Sequence, residues 1–91
     1  MTSAREKALQ PGRPDIRSLR HAQEWLIRRW PGDCSTAAAL LAYHRMAADL
    51  YDRVASADPA HHHEALFWAQ QERATAQALA ELITPRRPVD P

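Results

Sequence analysis

The sequence predicts an all-α fold: a three-helix bundle built on a long antiparallel helical hairpin, with flexible, proline-containing termini. Three observations lead to it. Ala, Leu, Arg and Glu are abundant while only two glycines occur, Gly12 and Gly32, both outside the candidate helices; this is a helix-forming composition. Apolar residues recur at i, i+3, i+4 spacing in three segments, and no β-branched run suggests a strand. Between these segments stand breakers: Pro11, Gly12 and Pro14, then Pro31-Gly32, Asp58-Pro59 and Pro85. The expected division is a flexible basic arm over 1–14, a helical domain over 15–84 and a Pro-rich tail over 85–91, with helices at about 15–30, 34–56 and 60–84.

In the first helix Asp15, following Pro14, is the expected N-cap. Ile16, Leu19, Ala22, Leu26 and Trp30 form its apolar stripe, widened by Trp25 and Ile27. The opposite face carries Arg17, His21, Glu24 and Arg28, with Glu24 and Arg28 spaced as an i,i+4 ion pair. Pro31-Gly32 ends this helix.

Asp33 or Ser35 is expected to cap the second helix. Its polar strip is narrow: Arg45, Asp49, Asp52, Arg53 and Ser56. Leu40, Leu41, Tyr43, Met46, Leu50, Tyr51, Val54 and the alanines between them fill more than half of the circumference. A helix with one neighbour needs an apolar stripe only a little over about 100° wide. The second helix is therefore expected to be central, with at least two neighbours.

The third helix starts just after Asp58-Pro59, with proline in its usual place at a helix start. Its core side is expected to carry Ala65, Trp68, Ala69, Ala76, Leu79 and Ile83, with Leu82 on the edge. Leu66 and Phe67 fall to the solvent side, which suggests a second contact surface. Trp25, Trp30 and Trp68 are expected to supply most of the bulk of the core.

Around the second turn, Ala47, Tyr51 and Pro59 are spaced as in a helical-repeat junction. The segment LYDRVASADPAHHHEALFWA resembles one junction between tetratricopeptide repeats. The resemblance covers that junction alone. It departs upstream, where the preceding repeat helix would contain Pro31-Gly32 and where the second helix has no break. What it implies is a helical hairpin, since an array needs about three units.

Two polar residues interrupt the apolar faces. Glu72 lies between Trp68, Ala69, Ala76 and Leu79, and His44 lies between Leu40, Leu41, Ala47 and Ala48. An unpaired buried carboxylate is costly. With the turn centred near Asp58-Pro59, an antiparallel hairpin sets residue 44 opposite residue 72 to within a turn, so His44 and Glu72 are expected to meet as a buried polar pair. Such a pair can specify helix register.

No catalytic residues emerge: there is no Gly-rich phosphate loop and no Ser-His-Asp pattern. No cofactor is implied. His61-His62-His63-Glu64 is the densest run of metal-ligand types, but consecutive helical residues point in different directions, so only His61 and Glu64 share a face. These are weak metal candidates. Cys34 is the single cysteine, so no internal disulfide forms.

The net charge of +1 conceals an asymmetry: +4 over residues 1–30, −4 over 31–84 and +1 over 85–91. Arg13, Arg17, Arg20, Arg28 and Arg29 make a candidate basic contact surface. It lacks the dense clustering and interleaved aromatics of nucleic-acid readers. No apolar run is long enough to span a bilayer and the N-terminus has no signal-peptide core, so the expected compartment is the cytoplasm, with no membrane contact.

The functional expectation is a non-enzymatic protein–protein interaction module or accessory subunit, self-associating as a homodimer or binding another protein. Tyr43, Met46, Leu50, Leu66 and Phe67 are its candidate apolar contact residues. Two alternatives belong to other classes: a nucleic-acid-binding regulator using the basic arm and first helix, and a metal-binding bundle using His44, Glu72 and His61.

Overall fold

A computed structural model describes residues 15–84. The arm over 1–14, which includes Arg13, and the tail over 85–91 lie outside the described residues. The fold is all-α and, within those residues, contains no strand. Helix α1 is Leu19–Arg29, α2 is Ala37–Ala57 and α3 is His62–Ile83; one 3-10 turn, Pro59–His61, joins α2 to α3.

All three starts lie downstream of the expected ones. Ser18, not Asp15, caps α1: its backbone is extended and its Oγ accepts from the His21 N–H at 3.2 Å. Asp15 is instead engaged by Arg17 at 3.2 Å. Thr36 caps α2, accepting from the Ala39 N–H at 3.1 Å. Ser35 donates to the Pro31 carbonyl at 2.7 Å, closing a turn in which Gly32 sits at φ +100°. At that φ a residue with a Cβ would be strained. Pro59 opens the 3-10 turn, and α3 continues from it with no side-chain cap.

Helix α2 is the central element. Helix α3 packs along it, and α1 packs on it as well. The chain runs antiparallel from α1 to α2, since Leu19 meets Asp58 and Leu26 meets Tyr43. At 1.5 Å rise per residue, α1 is about 16 Å long and α2 about 31 Å. Helix α1 therefore lies along the part of α2 between Tyr43 and the α2–α3 turn and leaves the start of α2 beyond its reach.

The core is light. Ala47, Ala48, Ala55, Ala65, Ala69 and Ala76 are buried along the hairpin, while Ile16, Leu19, Leu26, Leu50, Tyr51 and Val54 supply the larger side chains. The tryptophans do not provide the bulk expected of them. Trp30 is 44% exposed and Trp68 38%, and Trp25 is only partly buried against the core. The buried residues that α3 turns toward α2 are alanines, and Trp68 lies beside them, stacked on Tyr51, while Trp25 and Trp30 belong to α1 and its C-terminal cap.

Leu50 also departs from expectation. It is fully buried, packed in the core cluster, and cannot serve as a partner contact. Tyr43 and Met46 are partly buried against the same cluster. Most of the broad apolar arc of α2 is thus consumed by α1 and α3. Leu66 and Phe67 are exposed as expected, at 36% and 53%.

These burials set a measurable contrast. Leu50→Ala is expected to lower unfolding free energy by about 2–5 kcal/mol, a large part of the stability of so small a domain. Ile27, 75% exposed, is expected to tolerate alanine within about 0.5 kcal/mol. Urea denaturation of the two variants checks both values.

Candidate functional site

Two polar clusters and an open groove are built on this frame. The first cluster sits where the three helices converge. Asp58 ends α2, and its Oδ2 accepts from the Leu19 N–H at 3.1 Å. Leu19 opens α1, so this N–H is one of the donors a helix start leaves unpaired. The same oxygen lies 2.9 Å from His61 Nδ1, which donates to it. The Leu19 N–H holds the Asp58 carboxyl below its ordinary value; partial burial opposes this and His61 reinforces it. At the other end of α1, the Tyr43 hydroxyl donates to the Leu26 carbonyl at 2.9 Å. Side chains of α2 and its turn thus fasten both ends of α1.

The second cluster contains the predicted pair. His44 Nδ1 lies 2.9 Å from Glu72 Oε2, joining the middles of α2 and α3. The pair is not buried outright: its side chains are 15% and 20% exposed, and among the described residues no polar or charged residue is fully buried. It sits at the border of the core, where water still reaches it. Aromatic rings stand around it. Tyr43 meets Trp30 and His44 edge-on, each at 5.2 Å between centroids, and Trp30 meets His44 at 6.1 Å. Burial, helped by the Glu72 charge, raises the Tyr43 pKa. Burial likewise pushes Tyr51 up to about 12, with the Glu72 and Tyr43 charges adding and a hydrogen bond with Gln23 opposing. Tyr51 stacks with Trp68 at 6.4 Å.

The three histidines after the turn diverge into separate tasks. His61 binds Asp58. His62 Nδ1 donates to the Ala55 carbonyl at 2.7 Å, pairing an acceptor that the end of α2 would leave open. His63 meets the His62 ring edge-on at 5.2 Å. Glu64 is exposed. Of the metal alternative's three groups, His44 and Glu72 meet, while His61 is committed to the turn. Among the described residues, no three His, Cys, Asp or Glu side chains come together in a metal-binding group. Cys34 is free and exposed in the α1–α2 connection.

On α1, Arg17 is paired with Asp15 and Arg20 with Glu24, at 3.3 Å. Glu24 therefore takes Arg20 and not the expected Arg28; each is one helical turn away, and the carboxylate closes on one of them. The Arg29 guanidinium lies over the Trp25 ring, 4.9 Å from its centroid. Arg28 is exposed.

On the back of the hairpin, a groove of about 390 Å³ runs between α2 and α3, with Ala48, Ala76 and Ala80 as its floor and Arg45, Asp49, Arg73 and Gln77 at its rim. Helical spacing sets Arg45, Ala48 and Asp49 on the side of α2 opposite Tyr43, Leu50 and Val54. Arg73 donates to Asp52 across this face.

The Asp58 knot, the Tyr43–Leu26 bond and the His62 cap escaped sequence reasoning. Only Asp58-Pro59 carried a visible signal, that of a turn. No helix among the described residues is long and apolar enough to cross a membrane. Compared with protein-family models, curated proteins and solved structures, the chain matches none.

Two outcomes test the polar clusters. Because the folded pKa of Asp58 is lowered, its stabilisation is fully present above the ordinary carboxylate value of 3.8 and is lost as pH falls through the folded value. The stability difference between wild type and Asp58→Ala is accordingly expected to hold steady at neutral pH and shrink in acid; denaturation midpoints measured across pH follow it. For the second cluster, a double-mutant cycle with His44→Ala and Glu72→Ala is expected to give a coupling of about 1 kcal/mol. Additive single effects would show that the pair contributes nothing jointly.

Proposed function

We propose that the chain is a self-associating protein–protein interaction module, an accessory or regulatory subunit with no catalysis of its own. The observation that carries this reading is the apolar surface left uncovered on α3. Leu66, Phe67, Leu82 and Ile83 are 36%, 53%, 80% and 40% exposed, on a helix whose buried residues are all alanine. Single exposed apolar residues are ordinary; these four stand as two adjacent pairs, one near each end of the helix, and leave apolar area there for a partner to cover. A domain of this size also gains disproportionately from burying such surface against another chain. The polar clusters fit this reading. Each joins one helix to another, and neither brings together a nucleophile, a base and an open pocket. A cytoplasmic setting accords with the free, exposed thiol of Cys34.

Sedimentation equilibrium over a wide concentration range tests the reading. Mass is expected to rise from 10.3 kDa toward twice that value. A mass that stays at the monomer value throughout would remove self-association.

A further inference from the structure

The groove on the back of the hairpin has a floor of small residues that a helix can approach, and of its three charged rim residues two, Arg45 and Asp49, have no ion-pair partner among the described residues. Ala48 and Ala76 are buried, and alanine presents little more than backbone, so the axis of an incoming helix can come close. Arg73 is already engaged by Asp52. Among the described residues, neither Arg45 nor Asp49 has an ion-pair partner within 4 Å. Both sit on the exposed face of α2, one helical turn apart. Leu66 shares the side of α3 that carries Arg73 and Gln77, so an exposed apolar residue extends the same face toward the turn.

The order of these charges selects the partner. A uniformly basic or acidic segment would satisfy one rim residue and repel the other. A second copy of α2, laid antiparallel across a two-fold axis near residue 47, sets Arg45 against the partner's Asp49 and Asp49 against the partner's Arg45. Self-complementarity of this kind is what a two-fold interface requires.

We infer that the groove face is the dimer interface. Two hairpins stack face to face as a four-helix layer pair, α2 on α2 and α3 on α3, with α1 on the outside of each. This rests on the proposed self-association and names one surface and partner for it; of the exposed apolar residues of α3, Leu66 lies on that face, while Phe67 and Leu82 lie off it.

Charge reversal tests it. Arg45→Glu and Asp49→Lys each place like charges together twice across the axis, and each alone is expected to associate roughly tenfold more weakly than wild type, or worse. Mixed in equal amounts, the two variants restore both attractions. The carboxylate introduced at position 45 of one chain faces the ammonium introduced at position 49 of the other, and the unchanged Asp49 faces the unchanged Arg45. Association of the mixture is then expected to return toward wild type, as read by sedimentation, with circular dichroism confirming that both variants remain folded. If wild type associates and the reversals leave it unaffected, the groove is not the interface, while self-association stands. Weakened variants whose mixture stays weak overturn the Arg45–Asp49 pairing. A wild type that is monomeric throughout overturns self-association and this interface together.

Discussion

One carboxylate ties the three helices together. Asp58 ends α2, accepts from the first N–H of α1 and receives His61 from the turn that leads into α3. Its position fixes where α1 begins on the hairpin. Everything packed beneath α1 follows from that placement: Leu19, Ala22 and Leu26 meet the core at a set register, and Tyr43 reaches the Leu26 carbonyl at the far end. Because Asp58 lies directly before Pro59, the proline that forces the chain to turn also delivers the carboxylate to its partners.

The alanine seam between α2 and α3 imposes the second constraint. Small side chains bring the helices close, which limits how much apolar volume the core can hold. Leu50 and Val54 are the largest side chains buried without remainder. Such a seam has little shape of its own to prevent the helices from sliding by a turn. The His44–Glu72 bond joins the two helices across this seam, and a polar pair so placed can specify their register. At 15% and 20% exposure both groups retain contact with water, which keeps their desolvation cost modest.

The hairpin, the central role of α2 and the meeting of His44 with Glu72 were legible in the sequence. Each depends on the 3.6-residue period or on turn placement, and both are local properties. The caps were misplaced because Asp15, Ser18, Asp33, Ser35 and Thr36 all have capping chemistry, and the choice among them depends on where tertiary packing starts the helix. The tryptophans and Leu50 differ from expectation for a related reason. Hydrophobicity says that a side chain will seek burial, but the spacing between helices decides which ones fit. The groove charges gave no signal in one dimension, since Arg45 and Asp49 look like any solvated i,i+4 pair until Ala76 and Ala80 of α3 are seen beside them.

Helix α1 is half the length of the hairpin it lies on, and this divides the molecule into two regimes. Near Asp58 the backbone is enclosed by three helices. Beyond Tyr43, α2 and α3 continue with only each other for cover, and Leu82 and Ile83 lie open. Local opening follows the density of buried contacts. Amide protons toward the start of α2 and the end of α3 should therefore exchange with solvent by fraying of the helix pair, at far lower cost than those near the turn. The domain would then loosen progressively from its open end while its knotted end stays folded.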